Sequence, residues 1–163
     1  MKAFICANSA RDGRLPTSGE RPRPHVPDLG LDSIEQVVLP CAGRLQPEHV
    51  LKVVEAGADA VCVVACENDN CHTLEGSRRC ERRVEYVRGL LEGVGVGAER
   101  LLFFRLPGSA RGDLALGMAN TVPAERVRAP SSVAEKLRFI RDQVMVRVRT
   151  LPPSPLRTFD PDP

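Results

Sequence analysis

The cysteines are the residues of this chain whose type and spacing most clearly indicate chemistry. The 163 residues include six of them: Cys6, Cys41, Cys62, Cys66, Cys71 and Cys80. Three lie in the stretch VVACENDNCHTLEGSRRC, residues 63–80, where Cys66 and Cys71 flank a short polar turn. Thiolates bind zinc and iron–sulfur clusters, and they also act as nucleophiles in enzymes. Which role applies depends on the elements that position the sulfur atoms.

The composition excludes several classes of function. The net charge is only +2, with one tyrosine and no tryptophan, so neither charge nor base stacking indicates a nucleic-acid partner. No apolar run approaches the roughly 20 residues that a membrane span requires. The first residues, MKAFICANSARDG, lack the apolar segment of a signal peptide. We therefore expect a cytoplasmic protein with no membrane association, whose cysteines stay reduced.

Short apolar runs predict four β-strands. They cover residues 1–7, 34–40, 60–66 and 101–106. The third run, AVCVVAC, is almost wholly apolar. Such a run is typical of a strand that is buried on both faces of a parallel sheet.

Three helices are predicted from apolar stripes at helical spacing. The first begins near Pro47 and ends at Gly57. The second covers residues 77–93, and the third covers residues 132–148 with Ser132 and Glu135 as a capping box. Their buried faces are Val50, Val53 and Val54 in the first, Cys80, Val84, Val87 and Leu91 in the second, and Val133, Leu137, Ile140, Val144 and Val148 in the third.

The alternation of strands and helices defines the fold class. It predicts an α/β fold: a small open parallel sheet of about four strands with helices on both faces, in flavodoxin-like or Rossmann-like layers. Residues 1–149 form one domain in this interpretation. Binding sites in such sheets gather at the carboxyl ends of the strands.

Two proline-rich segments have neither a helical nor a strand pattern. Residues 8–33 form a long loop inside the domain, and residues 150–163 form a tail. Segments of this composition bury too little apolar surface to order themselves, and they often order on a partner. We expect both to be mobile in the isolated protein, and we expect the tail to dock on a partner.

Four of the cysteines are predicted to meet at one edge of the sheet. Cys6 is near the end of the first strand, Cys41 is just past the second, and Cys66 ends the third. Cys71 lies in the turn that follows. Because neighbouring strands are about 4.8 Å apart, thiolates at their ends can converge on one small inorganic centre.

The other two cysteines are expected to be core residues. Cys62 is in the middle of a strand, and Cys80 is on the apolar stripe of a helix. A free cysteine commonly packs as a small hydrophobic residue.

The residues alone leave three interpretations open. Four thiolates suit zinc or an iron–sulfur cluster, and the single close pair favours a [2Fe–2S] arrangement over a zinc site with two close pairs. The alternative is a non-redox interaction module with a structural zinc, or no metal, at the four-cysteine edge. Its partner would bind the basic cluster of Arg78, Arg79, Arg82 and Arg83. A thiol enzyme that uses Cys66 or Cys71, beside His72, is the third interpretation.

The central block of the chain, residues 40–104, resembles a known family. It begins PCAGRLQPEHV and includes ACENDNCH and ERRVEYV. These blocks are similar to the hydrogenase iron–sulfur subunit family, the delta subunit of methyl-viologen-reducing hydrogenase, which is associated with heterodisulfide reductase. The stretch FICANSA near the start is similar to the first strand of that family and its cysteine.

The resemblance implies an electron-transfer subunit rather than an enzyme with its own substrate. In the family, such a subunit passes electrons between a hydrogenase or other oxidoreductase and the flavin-containing subunit of a heterodisulfide-reductase-like complex. The resemblance implies that the cofactor is a [2Fe–2S] cluster. Its ligands would be Cys6, Cys41, Cys66 and Cys71.

The chain departs from the family pattern at two positions near these cysteines. Ser9 stands near the place where many members have a second cysteine after the first strand. Glu67 replaces a histidine after the cysteine of the third strand. His72 remains a candidate for a hydrogen bond that tunes the cluster.

Overall fold

Four parallel strands form the sheet in the computed structural model, which describes residues 1–9, 34–68, 71–106 and 133–157. Each lies within a stretch that the sequence predicts as a strand, so these predictions are confirmed. The strands are β1 (Lys2–Cys6), β2 (Glu35–Leu39), β3 (Val61–Cys66) and β4 (Leu101–Leu106). As the apolar run predicts, β3 is buried along its whole length.

The strands lie in the order β2-β1-β3-β4, and each pairing is parallel. Lys2 of β1 lies opposite Glu35 on one side and opposite Val61 on the other. This order matches the first four strands of a flavodoxin-like sheet. The chain goes outward from β1 to β2 and then returns to β3 on the other side, so the topological switch point lies between β1 and β3. Open α/β sheets bind ligands at the carboxyl ends of such strands.

Helices cover both faces of this sheet, as predicted. Helices α1 (Pro47–Glu55) and α2 (Gly76–Gly93) lie on one face, and α3 (Val133–Thr150) lies on the other. Successive strand residues alternate between the two apolar clusters. In β1, Phe4 packs on the side of α1 and α2, whereas Ile5 packs on the side of α3.

The apolar stripes of the helices are buried where the structure describes their side chains. Val50 and Val54 of α1 are buried and Val53 is partly buried. The whole predicted stripe of α2 is buried: Cys80, Val84, Val87 and Leu91. In α3 the buried residues are Leu137, Ile140 and Val144, with Val148 packed against them.

Residues 151–157 lie against the domain, so the expectation of a mobile tail is wrong for this part of the chain. The Ser154 amide donates a hydrogen bond to Asp59 Oδ1 at 2.9 Å, and Arg100 donates to a carbonyl of this segment at 3.3 Å. Leu156 packs against the core on the side of α1 and α2. Specific polar contacts near the amino ends of β3 and β4 therefore order a segment whose composition predicts little burial.

Some predictions fall outside the described residues. They concern residues 10–33 of the loop, residues 158–163 of the tail and the capping residue Ser132. None of the helices that the structure describes is both long enough and apolar enough to cross a membrane.

Candidate metal centre

Cys6 and Cys66 end the two central strands, at the switch point of the sheet. Both are buried, and their sulfur atoms are 3.6 Å apart. Strict alternation along β3 would place Cys66 beside Val64, on the side of α3. At the end of the strand it joins the cluster on the opposite face instead. The thiols of these two neighbouring strands are therefore in contact.

Cys41 and Cys71 lie on the loops that follow β2 and β3. Cys41 caps a short 3-10 turn, Ala42–Arg44, and its sulfur accepts a hydrogen bond from the Gly43 amide at 3.3 Å. Cys71 is buried in the turn before α2. The Thr73 hydroxyl links the two thiols, 3.0 Å from Cys41 Sγ and 3.5 Å from Cys71 Sγ. The four predicted cysteines thus form two pairs at one edge of the sheet.

Gly76, the first residue of α2, makes room for the second pair. A Cβ atom there would overlap Cys41 Sγ and Thr73 Oγ1 and would lie 3.5 Å from Cys71 Sγ. Gly43 is similarly close, because its Cβ would lie 2.8 Å from Gly76 Cα. Neither glycine has a positive φ, so a left-handed turn does not explain them. Close approach of the Cys41 turn to α2 explains both.

Hydrogen bonding separates the pKa values of Cys6 and Cys66. The hydrogen bond from Cys66 lowers the pKa of Cys6; burial opposes this, and the backbone amides of Asn8, Ala42 and Ser9 add to it. The same hydrogen bond and burial raise the pKa of Cys66. One thiol of the pair is therefore favoured as a thiolate, which is the form that binds metals.

The first turn of α2 acts on Cys71. Burial alone would raise the pKa of this thiol, but hydrogen bonds from the Thr73 hydroxyl and from the amides of Ser77, Thr73 and Gly76 outweigh it, and the pKa is lowered. Amides at the start of a helix have no partner within it, and the helix dipole favours negative charge there. The start of α2 therefore favours the thiolate form of Cys71.

Two side chains of α2 fix the loops that carry the thiols. Arg83 Nη1 donates to the carbonyl of Gly43 at 2.6 Å and to that of Leu45 at 2.9 Å, which ties the 3-10 turn to α2. The Ser77 hydroxyl donates to the carbonyl of Cys66. The two halves of the site are therefore held by the same helix.

Sequence reasoning missed the residues closest to the thiols. His72, the candidate hydrogen-bond donor, is exposed, and Thr73 contacts the thiols instead. Ser9 is buried and donates through Oγ to the carbonyl of Cys6 at 2.7 Å. The position of Gly76 at the start of a helical pattern could have indicated a close contact there. Nothing in the sequence tells which atoms approach this glycine.

Cys62 and Cys80 lie in the core, as expected. Cys62 packs in the cluster under α3, and burial raises its pKa well above the ordinary value. Cys80 is fully buried on α2, and burial raises its pKa to about 12. Both remain neutral thiols near neutral pH.

The separation of the Cys6 and Cys66 sulfur atoms is suited to ligation of a metal. Within the described ranges, no three His, Cys, Asp or Glu side chains are arranged to hold a single metal ion. Two thiolates bound tetrahedrally at about 2.3 Å from one metal lie about 3.8 Å apart. The 3.6 Å between Cys6 and Cys66 is close to this separation. Four thiolates are the ligand set of structural zinc sites and of iron–sulfur clusters, so the four thiols could hold either group.

The fold and the site define a class of protein: a small α/β domain with thiols at the switch point of its sheet. The family model described as methyl-viologen-reducing hydrogenase, delta subunit, matches residues 3–129. Because this match covers more than half of the chain, the protein belongs to that family, and the resemblance seen in the sequence is confirmed.

Curated relatives are similar over shorter regions. An F420-non-reducing hydrogenase iron-sulfur subunit of Archaeoglobus profundus is 34% identical over 77 residues, which are 47% of this chain and 56% of that protein. The vhu hydrogenase iron-sulfur subunit of Methanopyrus kandleri is 38% identical over 69 residues, 42% of this chain and 52% of that protein. The chain therefore spans about half the length of these relatives.

A third relative is a much larger protein. A subunit of the ferredoxin:CoB-CoM heterodisulfide reductase of Methanosarcina mazei is 33% identical over 61 residues. These residues are 37% of this chain but only 8% of that protein. A stretch similar to part of this chain thus occurs within a large heterodisulfide reductase subunit.

Proposed function

We propose that this protein is an electron-transfer subunit that carries a [2Fe–2S] cluster. It passes electrons between a hydrogenase or other oxidoreductase and a flavin-containing subunit of a heterodisulfide-reductase-like complex. The ligands are the four thiols at the edge of the sheet: Cys6, Cys41, Cys66 and Cys71. The protein supplies ligation, burial and docking, and it turns over no substrate of its own.

The observation that carries the proposal is the pairing of the four thiols. Cys6 and Cys66 meet at 3.6 Å, and Cys41 and Cys71 share contacts with the Thr73 hydroxyl. Other thiols of the described chain are buried in the core, so the pairing is specific to this edge.

The residues around the thiols have clear tasks in this function. When bound, the cluster supplies one-electron chemistry. Backbone amides from the 3-10 turn and the first turn of α2 donate to the sulfurs, and those that reach Cys6 and Cys71 lower the pKa of these two thiols. Hydrogen bonds to ligand sulfurs and exclusion of solvent are the means by which a protein sets the potential of such a cluster. Arg83 and Ser77 keep the ligand loops in place.

The names of the relatives support the class of partner. Two of them are iron-sulfur subunits of F420-non-reducing hydrogenases. In Methanosarcina mazei the similar stretch is part of a large heterodisulfide reductase subunit. A domain that occurs both as a separate chain and within that large subunit is suited to bind the rest of such a subunit and to exchange electrons with it. We therefore assign a protein similar to the large subunit as the flavin-containing partner, and we call it the reductase-like partner.

Anaerobic purification and a visible absorption spectrum test the proposal. We expect a coloured protein with iron and acid-labile sulfide in equal amounts, about two of each per chain. Its visible absorption should decrease on reduction with dithionite and return on oxidation. A colourless protein with bound zinc would instead support the interaction module with a structural metal.

A further inference from the structure

Two of the exposed apolar residues of the described chain lie on α2, and two more lie just beyond its two ends. Five large hydrophobic side chains are exposed, and four of these are spaced by multiples of four residues. Arg78 and Arg82 complete the series. We call this series the α2 ridge: Leu74, Arg78, Arg82, Tyr86, Leu90 and Val94. Within α2, Arg78, Arg82, Tyr86 and Leu90 form a row of residues four apart, the kind of ridge by which one helix packs against another.

The apolar members of the α2 ridge are far more exposed than core residues. Leu74 is 79% exposed, Tyr86 60% and Val94 72%. Leu74 also has a φ of 59°, a left-handed conformation that is unfavourable for leucine. Tyr86 is the single tyrosine of the chain. Tyrosine and arginine are among the residue types that most often dominate binding energy at protein interfaces.

Two glycines lie on the same outer face of α2. A Cβ atom at Gly89 or at Gly93 would meet nothing within 4 Å. Glycine is a poor helix former, and no neighbour within the described chain requires its small size at these positions. A glycine on a helix surface allows another backbone to approach closely. The glycines therefore give the α2 ridge a shallow groove beside Tyr86 and Leu90.

The charge of the α2 ridge indicates what kind of partner it fits. Arg78 has only a long contact of 3.8 Å with Glu75, and no ion pair is formed by Arg82 within the described residues. The adjacent carboxylates of Glu81 and Glu85 are each paired with another arginine. A second copy of this chain would bring like charges together, which is unfavourable. Carboxylates on a different protein would complement the ridge.

We propose that the α2 ridge docks an amphipathic helix of the reductase-like partner. The carboxylates of this helix lie opposite Arg78 and Arg82, and its backbone approaches at Gly89. The 18 residues of α2 are about 27 Å long, which suits a helix of similar length. The ridge begins at Leu74, whose amide donates to the carbonyl of Cys71 at 2.9 Å, so this end of the ridge is next to one of the candidate ligands. The proposal rests on the proposed function for the identity of the partner.

Titration with the purified reductase-like partner from the same organism tests this surface. Arg82→Glu and Gly89→Leu should each weaken binding at least about tenfold. Lys52→Glu on α1 and Val146→Ala on α3 are matched controls, because they change an exposed charge and an exposed apolar residue elsewhere. Both should bind within about twofold of wild type. Binding should also weaken with added salt.

The thermal stability of the Gly89→Leu variant separates docking from folding. Leucine is a better helix former than glycine, and the position is open, so Tm should rise by about 2–4 °C while binding weakens. A lower Tm together with weaker binding would show that Gly89 serves the fold, and the docking role of this glycine would be abandoned.

The remaining outcomes are also decisive. The proposal would be overturned if the wild-type protein did not bind the partner. It would also be overturned if the Arg82→Glu and Gly89→Leu variants bound the partner as tightly as wild type. Self-association of the chain through the α2 ridge would also overturn the proposal, because the occupant would be a second copy.

Iron content is measured on the same samples. If the samples contain iron and the variants bind as tightly as wild type, only the docking proposal is contradicted. If binding depends on the α2 ridge but the samples contain no iron, only the proposed cluster is contradicted.

Discussion

Gly76 is the residue at which the backbone comes closest to the candidate ligands. A single methyl group there would overlap Cys41 Sγ and Thr73 Oγ1. We expect Gly76→Ala to lose at least about half of its iron, because the 3-10 turn with Cys41 must move away from α2 to relieve the overlap. Iron analysis after anaerobic purification measures this. Gly89→Ala is the matched control and should keep its iron, since its Cβ meets nothing.

The cysteines themselves divide into two groups. Changing Cys41, Cys66 or Cys71 singly to serine should remove most of the iron, because each supplies one of four thiolates. Changing Cys62 to alanine should leave iron content unchanged and lower the free energy of unfolding by about 1 kcal/mol, the effect of a small cavity in the core. Full iron retention by the Cys66→Ser variant would remove this thiol from the site.

Cys62 also gives the stability of the cluster-free protein a pH dependence. Burial raises its pKa in the folded state above the ordinary value of 9.0. The unfolded thiol therefore loses its proton first, and stability falls as the pH rises above 9.0. The decrease should be at most about 1.4 kcal/mol per pH unit for this residue.

Denaturant titrations of wild type and Cys62→Ala at neutral and at alkaline pH measure this contribution. The variant should lose less stability than wild type on the alkaline side. Equal losses in the two proteins would show that Cys62 ionises as readily in the folded chain as in the unfolded one.

At the scale of elements, the site lies where the first residues of the 3-10 turn and of α2 meet the carboxyl ends of β1 and β3. β1 and β3 place Cys6 and Cys66 side by side, and the 3-10 turn and α2 bring their first amides to the remaining thiols. Arg83 joins these elements through two backbone carbonyls. The amides serve the sulfurs because a helix start leaves them without partners of its own.

The C-terminal segment is held at the opposite end of the sheet. Ending the chain at Thr150 should lower the free energy of unfolding by about 2–4 kcal/mol, because hydrogen bonds to Asp59 and from Arg100 and the packing of Leu156 are lost. Iron content should stay the same. A chain that ends at Arg157 keeps these contacts and is the reference for the shorter chain.

Loss of iron in the chain that ends at Thr150 would contradict this separation of the segment from the site.

The contacts of residues 151–157 with the domain also affect the expected docking of the tail. Residues 151–157 would have to leave Asp59 and the core before they could bind a partner, so docking through them carries the cost of breaking these contacts.

At the scale of the whole molecule, periodicity and apolar runs predict the strands, the helices and the two-sided sheet. Strand ends in a parallel sheet share an edge, so the sequence also predicts that Cys6, Cys41, Cys66 and Cys71 come together. Their arrangement in two pairs was beyond prediction, because it depends on how Cys66 turns at the end of β3 and on the contact of Thr73 with two thiols.

The sequence likewise did not predict that residues 151–157 are ordered against the domain. Composition describes an average tendency, whereas this segment is held by single contacts to Asp59 and Arg100, residues far away in the chain. The α2 ridge was visible only as a cluster of arginines. Its apolar members became apparent once the helix bounds and the exposed side chains were known.

The central claim is that the four thiols hold one [2Fe–2S] cluster. Native mass spectrometry of the anaerobically purified chain tests it most directly, because it weighs the bound group on the intact fold. We predict a mass increment of one [2Fe–2S] unit, which disappears in the Cys41→Ser, Cys66→Ser and Cys71→Ser variants and persists in Cys62→Ala. A chain that carries one zinc ion, or one whose iron–sulfur unit survives in these serine variants, would contradict it.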